Sequence, residues 1–248
     1  MIDEHFARGD SLLHRRDPRV KLISALCLVA IVAVTDSFTV TLLGLFLAAV
    51  LLGIARPEPR AVGNRLLATN SFTLFLLVTL PLTYGGAPLV VLGPLHFSSE
   101  GLRLAALITL KANTIVIALL ALLATSTVVR LGHALEQLGF PRKICFLLLF
   151  SYRYVFVIHQ EYHKLLRAAQ LRCFVPDTSL HTYRTYGYLF GMTMVHSWNR
   201  SFRVHQAMLL RGFDGHLIPL YRQRIDLKDQ LFLGILLLCC IGLAASPL

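Results

Sequence analysis

A chain of 248 residues with 56% hydrophobic and only 15% charged residues differs from an ordinary soluble domain, in which about 25% of residues are charged. Its apolar residues come in long runs, so the composition predicts one membrane domain that crosses the lipid bilayer several times. The net charge of +11 is explained by Lys and Arg residues in the loops between apolar runs, as in cytoplasmic loops of membrane proteins. A nucleic-acid partner is therefore not expected.

The N-terminal part of the chain predicts three membrane spans with the N-terminus in the cytoplasm. Residues 1–21 are polar and do not read as a signal peptide. Asp17 is placed to cap the first helix, Pro18 suits its first turn, and Arg19 and Lys21 mark the cytoplasmic border. The predicted spans cover 20–35, 38–54 and 66–82, and the basic loop 56–60 lies inside.

A fourth span is predicted at 102–129 after an outer loop, 83–100, that contains no Lys or Arg. The span is rich in alanine, and small side chains allow close packing against another helix or a partner subunit. Lys111 lies within it. It is either a functional intramembrane charge or a side chain that reaches the outer interface, and the sequence favours the second interpretation.

Residues 130–228 form an unusually basic region, with 14 of the 24 Lys and Arg residues and five acidic residues. A short amphipathic helix at 131–138 ends at Gly139-Phe140-Pro141. The apolar run 144–158 contains Arg153 and is a candidate re-entrant segment. From Tyr152 onward, two long helices are too charged to span a membrane and too apolar to be soluble, which is typical of amphipathic helices at the cytoplasmic face.

A final span at 231–245 places the C-terminus outside. The fold class predicted is thus an all-α membrane protein with five to six transmembrane helices. We divide its single domain into N-terminal spans at 1–129, a cytoplasmic region at 130–228 and a last span at 229–248.

Motifs of enzymes were sought and not found. None of the five lysines follows a glycine, so a phosphate-binding G-K-[ST] loop is absent, and so is G-x-S-x-G. His159 and His163 have the spacing of a zinc pair, but Glu161 is not at the position that H-E-x-x-H requires, and interfacial histidines are the simpler interpretation. No catalytic residue, metal site or cofactor is expected. A stand-alone carrier remains a weaker alternative, because the spans show no inverted repeat.

One short pattern occurs twice, 39 residues apart, and closes each of the two long helices. Both copies read A-x-x-L-R-x-F. An arginine at a helix C-terminus complements the helix dipole, and the glycine after the second arginine is suited to a left-handed cap. Two matching guanidinium groups can also bind carboxylates in two equivalent grooves, as a dimeric ATPase would offer. The residues concerned are Ala168, Leu171, Arg172 and Cys173 in the first copy, and Ala207, Leu210, Arg211 and Gly212 in the second.

Together these residues resemble the transmembrane coupling (T) component of energy-coupling factor transporters, the EcfT/CbiQ family. The resemblance rests on Asp17-Pro18-Arg19-Val20-Lys21, on Thr125-Ser126-Thr127 with the following Ala134 to Pro141, and on the two arginine motifs. The second motif is similar to the metal-uptake branch, with cobalt before nickel, and a vitamin is a further alternative substrate. Leu171 and Leu210 stand where the family has Ala, and Cys173 where it has Gly or Ser, which leaves the cap geometry of the first motif open.

The resemblance implies a subunit of the plasma (inner) membrane that is not itself an enzyme. Its two long amphipathic helices would be coupling helices, anchored by Arg172 and Arg211 to a cytoplasmic ATP-binding cassette ATPase dimer. The other implied partner is a substrate-binding membrane (S) subunit, which would hold the metal and would pack on Ala105, Ala112 and Pro141.

Overall fold

The computed structural model describes residues 11–83, 88–92, 95–215 and 226–245. The expectations for residues 1–10, for parts of the outer loop and for 216–225 lie outside the described residues. Elsewhere the chain is helical, apart from one short β-hairpin. The helices are α1 (Pro18–Val34), α2 (Phe38–Ala55), α3 (Pro59–Thr83), α4 (Ser99–Leu122), α5 (Val128–Gln137), α6 (Arg142–Leu171), α7 (Leu180–Leu210) and α8 (Leu227–Ala245).

The start of α1 confirms the predicted cap. Asp17 is the N-cap residue, its carboxylate accepts a hydrogen bond from the backbone N–H of Arg19, and Pro18 occupies the first turn. Helix α3 starts at Pro59, seven residues before the predicted span. The expectation followed the apolar run, whereas a proline in the first turn permits a helix whose first residues are charged and lie ahead of that run.

The predicted outer loop contains a hairpin that the sequence did not lead us to expect. Strands β1 (Pro88–Leu92) and β2 (Leu95–Ser98) pair antiparallel, with Leu92 opposite Leu95, and the pairing is irregular between Pro88 and Val90. Ser98 then caps α4 by accepting a hydrogen bond from the N–H of Gly101. The hairpin thus leads directly into the central helix of the membrane part.

Helix α4 packs against α1, α2 and α3. Three of its alanines, Ala105, Ala118 and Ala121, are buried in these contacts. Helix α2 also packs closely on α1 at Gly44, where an added methyl group would lie 3.0 Å from the side chain of Val32 in α1. The alanine-rich face therefore serves packing within the chain. Ala105, for which packing on the substrate subunit was expected, is only 1% exposed within the chain.

Four of the described helices are long and apolar enough to cross a membrane: α2, α3, α4 and α6. Helix α1, with 17 residues, is shorter than the ~20 residues that a bilayer core of about 30 Å requires. The segment 144–158, a candidate re-entrant element, is part of the uninterrupted 30-residue helix α6.

The chain divides into two compact units. Within the described residues, the first contains 135–215, with α6 and α7. The second contains 11–134 and 226–245, with α1 to α4 and α8. Helix α5 joins the two units covalently. The two units are described separately below.

Candidate functional site

Helices α6 and α7 end in the same hydrogen-bonded cap. In the first, the N–H groups of Cys173 and Phe174 donate to the carbonyls of Gln170 and Ala169 at 3.0 and 3.1 Å. In the second, the N–H groups of Gly212 and Phe213 donate to the carbonyls of Leu209 and Met208, both at 3.0 Å. This pattern is the Schellman motif. Arg172 and Arg211 are the C-cap residues of the two helices.

The residue after each arginine adopts the left-handed conformation that this motif requires. Gly212 has a φ of 74°, as the sequence predicted, and Cys173 has a φ of 64°. A side chain in this region costs roughly 1–2 kcal/mol. The first cap therefore has the same backbone conformation as the second, and Cys173 carries a strain there that a glycine would not. The two motifs present their arginines from equivalent backbones.

The side chains of both motifs are exposed within their unit. Leu171 is 87% exposed and Leu210 is 90% exposed, although each is a large apolar residue. Each lies beside an exposed arginine, so both helix ends offer one apolar group and one cation to a partner. The remaining residues of the two motifs, Ala168, Cys173, Ala207 and Gly212, are also exposed.

Helices α6 and α7 run antiparallel and contact each other near both ends. The ring of Phe174, just after α6, packs against Tyr186 in α7 at 5.7 Å between centroids. The ring of Phe213, just after α7, packs against Phe146 in α6 at 5.4 Å. The phenylalanine that ends each motif thus packs on the first turns of the opposite helix. The two arginine ends consequently lie at opposite ends of the helix pair.

A charged cluster joins α6 to α7 between these ends. The Glu161 carboxylate accepts a hydrogen bond from the Arg200 guanidinium at 2.9 Å, and its other oxygen lies 3.0 Å from Nδ1 of His196. Lys164 is 4.0 Å away on the same helix as Glu161. The sequence did not predict this ion pair.

In the other unit, the structure brings together two motifs that are about 100 residues apart. Lys21 is fully buried, and its ammonium group donates to the hydroxyls of Ser126 and Thr125 at 2.8 and 3.2 Å. The carboxylates of Asp17 and Asp229, both buried, act on the same ammonium group electrostatically. This cluster ties the start of α1 to the turn that follows α4.

Lys21 is buried among the helices of its unit, whereas the sequence interpretation gave it a place at the cytoplasmic border of the membrane and no partner. Helical spacing accounts for the difference, because Lys21 lies on the same face of α1 as the buried residues Ser24, Ala25 and Leu28. Asp229 is held in turn by Arg16, at 3.3 Å, so α8 joins the same network. The start of α1, the turn after α4 and the start of α8 are thus held together through buried polar groups.

Lys111 is also bound within the protein. Its ammonium group forms an ion pair with Asp36 at 3.0 Å and donates to the carbonyl of Ala33 at 3.1 Å. Asn113 donates to the side chain of Asn70 in α3 at 2.8 Å. Lys111 therefore ties α4 to the connection between α1 and α2, through an ion pair that the sequence did not predict.

Within the described residues, no group of three or more His, Cys, Asp or Glu side chains could hold a metal ion. The rings of His159 and His163 are 4.4 Å apart between centroids, and both side chains are exposed. Helical spacing brings this pair together, but no third ligand joins it among the described residues.

Comparison with known proteins decides the family. The model of the CbiQ family, described as cobalt transport protein, matches residues 9–220. The chain belongs to the CbiQ family. Similar proteins include the energy-coupling factor transporter transmembrane protein EcfT of Macrococcus caseolyticus, which is 23% identical over 98% of this chain and 96% of its own. EcfT of Bacillus subtilis is 26% identical over 87% of this chain and 85% of its own.

A nickel permease, LarQ of Lactiplantibacillus plantarum, is 29% identical over 40% of this chain and 36% of its own. The CbiQ family match covers both arginine motifs and, in the Lys21 cluster, the start of α1 and the turn after α4, whereas Asp229 lies beyond it. The chain is thus a multi-pass membrane protein of the CbiQ/EcfT family, the transmembrane components of energy-coupling factor transporters. The site geometry described above belongs to such a component.

Proposed function

We propose that this protein is the non-catalytic coupling subunit of an ATP-driven importer. In this proposal, α6 and α7 are coupling helices, and Arg172 and Arg211 each bind one subunit of a cytoplasmic ATPase dimer. Movement of the two ATPase subunits on ATP binding moves the helix ends. The motion is then passed to a separate substrate-binding membrane subunit.

The observation that carries the proposal is the equivalence of the two helix ends. Both have the same cap, the same left-handed residue and the same exposed leucine and arginine. An oligomer with two-fold symmetry presents the same surface twice, and two equivalent ligand groups on one chain suit such a receptor. A planar guanidinium group binds carboxylates in a bidentate manner, which would fix each helix end in its groove.

The substrate we propose is a transition-metal cation, cobalt before nickel. The family description names cobalt transport, and one relative is named a nickel permease. The metal would be bound by the substrate subunit. Ala112 is half-buried and Pro141 is exposed, so these two of the three expected positions are the ones available for packing with that subunit. We place the N-terminus and the arginine motifs in the cytoplasm and the C-terminus outside.

Charge reversal at the two arginines tests the docking. Truncation of one partner of a buried charged pair at an interface costs about 2–5 kcal/mol, so each of Arg172→Glu and Arg211→Glu weakens ATPase binding by roughly 30-fold or more. The double variant should lose the ATPase in co-purification and lose metal uptake. Arg184→Glu, an exposed arginine outside both motifs, is the control and should retain both. Docking through the motifs is excluded if the double variant holds the ATPase and transports normally.

Uptake by the reconstituted complex tests the substrate. Cobalt and nickel ions should both be accumulated in an ATP-dependent manner, and half-maximal uptake of cobalt should require a lower external concentration than that of nickel. ATP-dependent accumulation of a vitamin without accumulation of either metal would exclude the metal assignment and leave the coupling role intact.

A further inference from the structure

The charged cluster of Glu161 occupies equivalent positions in the two repeated helices. Glu161 and Arg200 are separated by 39 residues, the same interval that separates Arg172 from Arg211. Glu161 precedes Arg172 by eleven residues, and Arg200 precedes Arg211 by eleven residues. The ion pair therefore lies where an approximate two-fold axis relates α6 to α7, midway between the two arginine ends.

The two aromatic contacts follow the same symmetry. Phe174 and Phe213 are also 39 residues apart, and each packs on the opposite helix, against Tyr186 and Phe146 respectively. At 1.5 Å of rise per residue, each arginine lies about 16 Å along its helix from the ion pair. For antiparallel helices that meet at Glu161, the two arginine ends are about 33 Å apart along the helix direction, and rotation of one helix against the other shortens this separation.

An open cleft of about 170 Å³ lies between α6 and α7 beside the ion pair, with Glu161 and Arg200 in its wall. Close packing normally holds helices at a defined angle, and among the described residues of this unit no side chain fills the cleft. The paired charges, with 16% of the Glu161 side chain and 37% of the Arg200 side chain exposed, supply a directional constraint at this point. The cleft is also lined by Phe150, Tyr154, Val157, Ile158, Ser197 and Ser201.

We propose that Glu161 is a positioning residue, which fixes the angle between α6 and α7 through Arg200 and His196 and so sets the separation of the two arginine ends. One carboxylate oxygen accepts from Arg200 and the other contacts His196, one helical turn away on the same face of α7. Two contacts on one turn of α7 restrict rotation about the contact point more than a single contact does. The effect of Glu161 on the angle between α6 and α7 is argued from these contacts alone, whereas its consequence for transport rests on the proposed coupling function.

A distance measurement tests the geometric part in the full-length protein. Spin labels on non-natural amino acids at Gln170 and Leu209, which are equivalent exposed positions, report the separation of the two ends by pulsed electron resonance. The wild type should give one narrow distribution. Glu161→Ala should at least double its width, and so should Arg200→Ala. Lys164→Ala, which removes an exposed charge beside Glu161, is the matched control and should leave the width unchanged.

Exchange of the two charges separates positioning from folding. The double variant Glu161→Arg with Arg200→Glu restores an ion pair at the same place, so it should return the distribution to within the width of the wild type. The proposal is overturned if the distance distribution of Glu161→Ala is as narrow as that of the wild type. It is also overturned if the distribution of the double variant is as broad as those of the single variants.

The functional consequence is read as the ratio of metal taken up to ATP hydrolysed. In the assembled complex, Glu161→Ala should retain the ATPase but reduce this ratio at least fivefold, and the exchanged pair should recover it. If Glu161→Ala broadens the distribution and leaves the ratio unchanged, the role of the angle in transport is excluded. Failure of the proposed coupling function would appear separately, as ATPase binding that survives charge reversal at Arg172 and Arg211.

Discussion

Replacement of Cys173 by glycine is predicted to stabilise the first arginine motif. The residue holds a φ of 64°, where a side chain costs roughly 1–2 kcal/mol. Glycine removes that strain but loses about 0.5–1 kcal/mol of chain entropy on folding. These ranges leave a net gain of roughly 0–1.5 kcal/mol, centred on about 0.75 kcal/mol, for the last turn of α6.

Hydrogen exchange at single amides measures this local change. The amide of Phe174, which donates to Ala169, should exchange roughly two- to fivefold more slowly in Cys173→Gly, if exchange follows local opening of the cap. Cys173→Ala keeps a side chain at the same backbone angle and is the control, with no gain expected. Equal protection in the glycine and alanine variants would show that strain at this position is not what limits the cap.

Adding a side chain at the equivalent position of the second motif should destabilise its cap. A methyl group added to Gly212 meets nothing within 4 Å, so Gly212→Ala acts through the backbone alone, at a φ of 74°. A cost of about 1 kcal/mol makes the amide of Phe213 exchange about fivefold faster. An unchanged rate at this amide would contradict the equivalence of the two caps.

Two further predictions concern the lysines of the helical membrane part. Lys21→Met removes the buried cation that Ser126 accepts a hydrogen bond from, and it should lower the free energy of unfolding by about 3 kcal/mol. The melting temperature in detergent then falls by roughly 6–12 °C. Lys228→Met, at an exposed lysine, is the control, and an equal effect of both variants would contradict the buried cluster. Lys111→Gln breaks a pair whose partner, Asp36, is 93% exposed, so it should cost less than about 1 kcal/mol and leave metal uptake unchanged. Loss of uptake at normal stability would instead assign Lys111 a direct functional role.

The parts of the fold that depend on neighbouring residues could be predicted from the sequence. The cap at Asp17 and the left-handed Gly212 follow from local rules of helix ends, and both are confirmed. Helices α1, α2 and α8 agree with the predicted spans within a few residues. Helix α3 begins seven residues early, because its charged first turns precede the apolar run that the prediction followed, and α4 ends at Leu122, seven residues before the predicted end of its span.

Contacts between distant residues could not be predicted in the same way. The partners of Lys21 lie 104 and 105 residues away, and a lysine next to an apolar run is normally placed at the membrane border. The helical spacing of α1 could have indicated that Lys21 is buried, because it places Lys21 on the same helix face as Ser24 and Leu28. A polar residue on the face that packs inward calls for a partner.

The 39-residue repeat relates more residues than those of the two arginine motifs. The same interval relates Glu161 to Arg200, and the sequence prediction did not include that pair. Opposite charges at equivalent positions of two antiparallel helices meet when the helices are related by a two-fold axis. Without knowledge that α6 and α7 are antiparallel neighbours, this pairing could not be separated from chance.

Photo-cross-linking at the two helix ends tests the coupling role most directly. A photoreactive amino acid at Ala168 and another at Ala207, both exposed and each four residues before a motif arginine, are introduced singly and together into the assembled transporter. Each single variant should capture one ATPase subunit, and the double variant should capture two on one chain. Capture at only one position, or of any other subunit at either position, would contradict docking of the two arginine motifs in two equivalent grooves.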